Sequence, residues 1–339
     1  MNLEARQELY VSEIEHYFRA RLVDGYDATS AALWSRDYSS EEAFLGSVEG
    51  RRRQWRELLA PPELTRAGDV EVRDCDVPGG QWIVVRLNDH LSAQGLLVVP
   101  EGATRLVVFQ HGLGSTPERV MGLGDPSAYD GVGQQLVDAG YAVLAPMNLI
   151  HIPQRNRAQS LARLAGTTME GLEFSRFQIL LEAASELAPE VDVDAYALAG
   201  MSWGGLATQF WAPLDDRVAA AATLGFFNQR SNKMVVQDTR YGTFYDFDEH
   251  HAFLQGHLLG FGDADLASLI CPRPFMVQHG RADRIAWWPQ VVEEFGKARE
   301  HWVRLGVGDR VTLQLHEGGH DVDGAGLVAW LAEHFPAAG

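Results

Sequence analysis

Residues 193–207 read Val-Asp-Ala-Tyr-Ala-Leu-Ala-Gly-Met-Ser-Trp-Gly-Gly-Leu-Ala. The apolar run Tyr196–Ala199 predicts a buried strand, and the apolar segment Gly205–Trp211 predicts a helix soon after it. The letters between them form a G-x-S-x-G pattern centred on Ser202. In a strand–turn–helix context this pattern predicts a strained turn that raises the serine hydroxyl above the edge of a sheet. A glycine-rich turn around a solvated serine would carry the same letters, so the interpretation depends on partners elsewhere in the chain.

Two later segments supply those partners. A serine hydroxyl is a poor nucleophile until a base accepts its proton and an acid orients that base. Pro274–Gln278 predicts a strand, and the loop after it carries Asp283. Val311–His316 predicts the last strand, and the loop after it carries His320. The order Ser…Asp…His, with each residue at a strand end, predicts Ser202 as nucleophile, Asp283 as acid and His320 as base.

An oxyanion hole would complete this chemistry, because a tetrahedral intermediate needs backbone donors aimed at its developing negative charge. The N–H of Trp203, directly after the nucleophile, is one candidate. The N–H of Leu113 is the other, in the loop His111–Gly114 that follows the predicted strand Arg105–Gln110. A plain strand–loop–helix turn is the alternative for that loop, and the predicted Ser…Asp…His set makes it the weaker one. Four ring-bearing side chains are candidates for the substrate pocket, although core packing accounts for aromatic residues just as readily: His111, Phe226, Tyr241 and Trp287.

Charge and composition restrict the partners. The chain has 339 residues and a formal net charge of −18, which argues against nucleic acid and anionic membrane surfaces because no basic excess can neutralise phosphates. Its two cysteines, Cys75 and Cys271, form no disulfide framework. The N-terminus shows no apolar signal core, and no run approaches the roughly 18 apolar residues of a membrane span. We therefore expect a cytoplasmic protein that acts on a small molecule.

The chain divides into three parts by its patterns. Residues 1–66 carry apolar residues at helical spacing and end at Pro61-Pro62, which predicts a helical accessory segment. This segment could cover the pocket, form a dimer contact or stabilise the core. Residues 67–339 alternate strands with helices, which predicts an α/β domain with a mostly parallel sheet and helices on both faces. Residues 226–262 break that alternation and predict a cap or lid-like insertion.

From about residue 68 to residue 339 the chain resembles the α/β-hydrolase superfamily. Within it, the sequences Gln-His-Gly-Arg-Ala-Asp at 278–283 and Glu-Gly-Gly-His at 317–320 resemble the dienelactone-hydrolase-like and prolyl-oligopeptidase-like branch, which includes acetyl-xylan-esterase-type enzymes. The resemblance implies the same roles for the three candidate residues and no cofactor. Two features depart from named members. Dienelactone hydrolases use a cysteine where this chain has Ser202, and the peptidases carry a β-propeller, for which residues 1–66 are too short.

These features predict a serine hydrolase that cleaves a small or medium carboxylic ester through an acyl-enzyme. Carbon–carbon bond hydrolysis or acyl transfer on the same residues is an alternative, since a helical segment before a hydrolase core also resembles some carbon–carbon bond hydrolases. A binding or receptor protein of the same fold is another. The segment His316–His320 fits the zinc pattern H-E-x-x-H. That pattern requires a helix, whereas a predicted strand precedes this segment and two glycines lie within it, so no metal is expected.

Overall fold

The computed structural model describes residues 2–124 and 128–337. The outer ends of the predicted ranges 1–66 and 67–339, at residues 1, 338 and 339, lie outside the described residues. Within the described residues, nine strands form one sheet in the order β1-β2-β3-β5-β4-β6-β7-β8-β9. The strands are β1 (Val70–Asp74), β2 (Gly80–Arg86), β3 (Ser92–Val98), β4 (Arg105–Gln110), β5 (Ala142–Pro146), β6 (Asp192–Met201), β7 (Val218–Leu224), β8 (Phe275–Gly280) and β9 (Val311–His316).

The sheet is antiparallel at one end and parallel over the rest. Strands β1, β2 and β3 pair antiparallel, and β3 also pairs antiparallel with β5. From β5 through β4, β6, β7 and β8 to β9 every pairing is parallel. The predicted fold class, an α/β domain with a mostly parallel sheet, is confirmed. Because the carboxyl ends of parallel strands meet at one edge, the loops after β4, β6, β7, β8 and β9 converge there.

Helices cover both faces of the sheet. The helices are α1 (Leu3–Arg19), α2 (Tyr26–Leu33), α3 (Glu41–Leu59), α4 (Pro117–Val120), α5 (Val132–Asp138), α6 (Ile152–Leu164), α7 (Met169–Leu187), α8 (Trp203–Trp211), α9 (Arg230–Val235), α10 (Asp263–Ile270), α11 (Trp288–Arg304) and α12 (Gly324–His334). Side chains alternate between the faces along each strand. On β4, Val108 packs in the cluster that contains Phe177 of α7, whereas Val107 packs in the cluster that contains Leu136 of α5.

The N-terminal helices differ in how they meet the core. Helix α3 begins at a Ser40 cap, whose side chain accepts a hydrogen bond from the Ala43 N–H. It buries Phe44, Val48, Trp55 and Leu59 completely. Helix α1, by contrast, leaves each of its 17 described residues at least partly exposed. None of the helices that the structure describes is long and apolar enough to cross a membrane.

The segment 226–262 lies between β7 and α10. It contains α9 and two single 3₁₀ turns, His250–Ala252 and His257–Leu259, and the rest is irregular. A buried ion pair joins its beginning to the start of α10: the Arg230 guanidinium donates to both carboxylate oxygens of Asp263, at 2.9 and 2.7 Å. The side chains of both partners are at most 1% exposed. The Arg230–Asp263 pair therefore holds the beginning of the insertion against the residue that directly follows its end.

Candidate active site

Ser202 lies in the turn between β6 and α8. Its backbone angles, φ 59° and ψ −119°, fall where residues other than glycine are rarely found. The backbone is crowded on both sides of the turn. A Cβ at Gly200 would lie 2.5 Å from the Gly204 carbonyl carbon, and one at Gly204 would lie 2.6 Å from the Gln110 carbonyl carbon. Glycine at both positions lets the strand, the turn and the helix pass this closely.

Asp283 and His320 meet at the same edge, from the loops after β8 and β9. The Asp283 Oδ2 atom lies 2.8 Å from Nδ1 of His320, and the other carboxylate oxygen accepts a hydrogen bond from the Ile285 N–H at 2.8 Å. Burial acts to raise the pKa of Asp283. The hydrogen bond and positive charge of His320, with a smaller effect of His279, outweigh it and hold this pKa below its usual value. The carboxylate is therefore ionised at neutral pH and fixes the imidazole orientation.

The His320 ring lies close to the serine turn. The Ser202 N–H donates to the Leu224 carbonyl at 2.8 Å, at the end of β7. The next residue, Gly225, has φ 62°, and a Cβ there would lie 3.2 Å from Cε1 of His320. Gly225 and Ser202 line the same cavity. Gly225, directly after β7, thus lies beside the His320 ring and on the cavity that Ser202 lines, although 118 positions separate Ser202 from His320 in the sequence.

Both candidate oxyanion donors lie beside Ser202. Leu113 and Trp203 line the cavity with it. Trp203 is the first residue of α8, so its N–H has no acceptor within its own helix. The loop after β4 approaches Ser202 closely, because a Cβ at Gly112 would lie 3.0 Å from Cβ of Ser202. The structure thus places both candidate residues around one cavity with Ser202.

Trp203 is held from its other side by a buried arginine. The Arg155 guanidinium carbon lies 4.0 Å from the centre of the Trp203 ring. Arg155 also donates to both carboxylate oxygens of Glu173, at 2.9 and 3.0 Å. A second carboxyl group, Glu170, lies 3.8 Å from Arg155, and burial raises its pKa to about 7. This buried cluster fixes the orientation of Trp203 at the cavity wall.

The cavity at Ser202, of about 130 Å³, has two kinds of wall. The apolar wall consists of Leu113, Ile152, Trp203, Leu206, Phe226, Phe244, Ile285 and Ala286. The polar wall consists of Asn228, Arg230, Lys233, Glu249 and His251. All five polar residues belong to the segment 226–262, so the insertion supplies the charged side of the cavity.

Of the four predicted pocket residues, Phe226 lines the cavity and the other three do not. His111 is fully buried below it, where Nδ1 lies 2.9 Å from the Gly112 carbonyl oxygen, and burial lowers its pKa to about 4. Tyr241 packs against Lys233, with the ring centre 5.2 Å from Nζ. Trp287 precedes α11 and stacks under the Arg240 guanidinium at 3.7 Å. The structure thus places Phe226 on the cavity wall and the rings of His111, Tyr241 and Trp287 outside it.

Lys233 is a cavity residue that the sequence did not reveal. Its ammonium group donates to the Gly242 carbonyl at 2.5 Å and to the Ile285 carbonyl. Burial, with the nearby positive charge of Arg230, lowers its pKa to about 8. The partners of Lys233 lie 9 and 52 positions away. No local pattern therefore marks it, and the sequence signal is a lone lysine among aromatic residues.

The H-E-x-x-H segment is a strand end and a loop. His316 closes β9, and His320 follows in the loop and bonds to Asp283. The two imidazoles therefore do not share a helix face, which is what the zinc pattern requires. Across residues 2–124 and 128–337, no group of three or more His, Cys, Asp or Glu side chains could hold a metal ion.

Comparison with known proteins adds a sequence relative. No family model matches the chain. The chain is 27% identical over 223 residues to a protein of Bacillus subtilis (strain 168) named "Putative hydrolase YtaP". The match covers 60% of this chain and 70% of that protein. It connects the chain to a protein named as a hydrolase.

Solved structures show the same architecture. A "putative acetyl xylan esterase" of Bacteroides fragilis matches with a TM-score of 0.65 and 15% identity, covering 87% of this chain and 83% of that one. A carbohydrate esterase family 15 glucuronoyl esterase of Caldicellulosiruptor kristjansonii matches with a TM-score of 0.57 and 16% identity, covering 85% of each chain. These structures have the α/β-hydrolase fold. This protein has the α/β-hydrolase fold. In α/β-hydrolases the strand-to-helix turn of a G-x-S-x-G motif exposes the serine at the top of the sheet, and Ser202 occupies that position here.

Proposed function

We propose that this α/β-hydrolase is a serine hydrolase that cleaves a small or medium carboxylic ester. The observation that carries the proposal is the Asp283–His320 hydrogen bond, formed beside a serine held at φ 59° on the wall of a cavity. A strained backbone at a serine is costly, of the order of 1–3 kcal/mol, and persists where the surrounding structure enforces it. Catalysis accounts for that arrangement.

The proposed reaction assigns a role to each residue of the site. The Ser202 hydroxyl attacks the ester carbonyl carbon while His320 accepts its proton. Asp283 holds the His320 tautomer and stabilises the imidazolium. The N–H groups of Leu113 and Trp203 hold the oxyanion. His320 then protonates the leaving alcohol. In the second half, His320 accepts a proton from the water that attacks the acyl carbonyl carbon, and it returns this proton to Ser202 as the acid leaves.

The volume of the cavity and the names of the similar solved structures support the proposed substrate size and class. A volume of about 130 Å³ suits a short acyl group. The solved structures with the same fold include proteins named as esterases, which supports an ester over a ketone. Activity should fall at acid pH, because an imidazolium at His320 cannot accept the serine proton.

The test is hydrolysis of p-nitrophenyl acetate and butyrate by the wild type and by Ser202→Ala. We expect the variant to lose about 10³-fold or more in kcat. Ser12→Ala, an exposed serine on α1, is the matched control and should keep full activity. A p-nitrophenyl phosphonate ester should lose p-nitrophenol and add the mass of its phosphonyl group to the wild type, and should leave Ser202→Ala unmodified.

Two outcomes would contradict the proposal. Full activity in Ser202→Ala would show that another group is the nucleophile. A folded wild type that neither hydrolyses esters nor takes up the phosphonate would indicate a binding protein. Phosphonate labelling without ester turnover would redirect the assignment to ketones or acyl transfer on the same serine.

A further inference from the structure

Helix α1 carries a continuous apolar stripe that its own chain leaves uncovered. Six large apolar side chains of this helix are between 50% and 67% exposed. At 100° per residue they fall within a sector of about 120° on one side of the helix. The members of this stripe are Leu3, Tyr10, Val11, Ile14, Tyr17 and Phe18. A monomer rarely leaves a contiguous apolar surface of this kind in water.

Helix α1 lies next to the insertion, with Glu15 between the stripe and the insertion. Glu15 of α1 lines a groove of about 550 Å³ whose other walls come from α9 and the segment 244–253. Tyr245, Phe247 and Phe253 line this groove and are themselves at least 38% exposed. The uncovered apolar surface therefore includes both the helix and the outer side of the insertion.

We propose that the α1 stripe, with the adjoining groove, is the interface of a homodimer. With roughly 100 Å² exposed on each of six large side chains, two copies would bury roughly 1,200 Å² through the stripe alone. That area reaches the lower limit of stable specific interfaces, and the groove aromatics add to it. A two-fold axis would place the same surface on both copies, so one apolar stripe covers the other.

The charge of α1 favours a second copy over a membrane. Helices that lie on membranes carry lysine and arginine on their polar face. The polar side of α1 carries four glutamates against two arginines, namely Glu4, Glu8, Glu13 and Glu15 against Arg6 and Arg19. An anionic surface would repel this face, as it would repel a chain of net charge −18.

The interface shares a wall with the cavity at Ser202. Phe244 lines both the groove and the cavity. A partner seated on the groove would press on the outer side of the segment whose inner side faces Ser202. Dimerisation would thus hold the insertion in place. The test of this coupling rests on the proposed ester hydrolysis, which supplies its readout, whereas the test of the interface does not.

The experiment measures mass in solution by light scattering, from about 1 to 100 µM. We expect the wild type to have twice the chain mass of 37.5 kDa. The variant Tyr10→Glu/Ile14→Glu should be a monomer, because it places two charges in the stripe. Leu9→Glu is the matched control: Leu9 is also exposed but lies on the opposite side of α1, so this variant should remain a dimer. The substituted side chains bury little of their surface within their own chain. The wild type and the two variants should therefore have similar free energies of unfolding when diluted to monomer.

The proposal is overturned if the wild type is monomeric at about 100 µM, or if the stripe variant stays dimeric. A monomeric wild type that floats with phosphatidylcholine vesicles would assign the stripe to lipid instead. For the coupling, kcat/KM on p-nitrophenyl butyrate should fall several-fold in the stripe variant and not in Leu9→Glu; equal values would refute it. Since mass is read without substrate, failure of the ester assignment leaves the dimer test intact.

Discussion

The turn at Ser202 and the segment 226–262 face each other across one cavity, yet different forces hold them. Close backbone packing shapes the turn, where Gly200 lies against Gly204 and Gly204 lies against the Gln110 carbonyl group. Polar side-chain contacts between residues distant in sequence shape the insertion, such as Arg230 with Asp263 and Lys233 with the Ile285 carbonyl. One wall therefore depends on tight backbone packing and the other on buried polar contacts. Substitutions in the two walls should therefore fail in different ways.

On the sheet side, Asp283→Asn should have the largest effect, a loss of about 10³–10⁴-fold in kcat, because an amide cannot fix the His320 tautomer or stabilise its positive charge. Folding should be nearly unchanged, since the amide has the same shape. Hydrolysis of p-nitrophenyl butyrate measures the effect. Asp321→Asn, one position after His320, is the control and should retain activity; an equal loss there would refute the assignment of Asp283.

In the insertion, Arg230→Met should act on stability. It leaves the Asp263 carboxylate buried without its partner, which typically costs about 3–5 kcal/mol. Urea unfolding measures the loss. Arg240→Met removes an ion pair with Asp238 in the same segment, but Arg240 is half-exposed, so we expect less than about 1 kcal/mol. Similar losses in both variants would show that burial of the Arg230 pair does not anchor the insertion.

Gly204→Ala tests the backbone contacts directly. Its Cβ would meet the Gln110 carbonyl group, and we expect a loss of roughly 2–3 kcal/mol of stability by overpacking, together with loss of ester hydrolysis. Gly296→Ala in α11 is the control, because a Cβ there has open space. That change should stabilise the protein by about 0.5–1 kcal/mol. A Gly204→Ala protein with the activity and stability of the wild type would contradict the close backbone contact between Gly204 and Gln110.

The smallest effect is a pH dependence from Lys233. Its pKa in the folded protein, about 8, lies below its ordinary value of 10.5, so between these values the unfolded chain binds more protons and stability rises with pH. From pH 8 to 9.5 the free energy of unfolding should rise by about 1.5 kcal/mol more in the wild type than in Lys233→Met.

Lys297 provides the control for this measurement. It is the other lysine of the chain, and it is half-buried. Burial acts to lower its pKa, but the charges of Glu294 and Asp27 outweigh burial and raise it above the ordinary value. Its contribution is therefore lost only as pH rises above 10.5. Lys297→Met should leave the slope between pH 8 and 9.5 unchanged; the same change of slope in both variants would contradict the assignment to Lys233.

The prediction from sequence was most complete where structure is local. The sequence patterns of the G-x-S-x-G turn, of the strands before the Asp283 and His320 loops, and of the helices α1 and α3 each lie within a short stretch of the chain. Strand and helix periods specify such features directly. The fold class is confirmed for the same reason, because alternating strands and helices of this length admit few connections.

Three of the four predicted pocket residues lie outside the cavity for a physical reason. The same aromatic residue types line pockets and fill cores, so the sequence could not distinguish His111, Tyr241 and Trp287 from Phe226. Arg230 and Lys233 on α9, and Glu249 in the irregular part of the segment 226–262, reach the cavity because of the path of that segment, which depends on contacts tens of residues apart. The roles of Ser202, Asp283, His320, Leu113 and Trp203 stay predictions for the experiments above.

The sequence by itself determined the parallel sheet, the strained serine turn and the strand ends that carry its partners, because each follows from short-range periodicity and glycine spacing. Only the tertiary structure decided which side chains line the cavity. It also decided that α3 is buried against Phe210 through Trp55, while α1 keeps its apolar stripe exposed. The amphipathic spacing of a helix shows that it has an apolar face. What covers that face depends on surfaces brought together only when the whole chain folds.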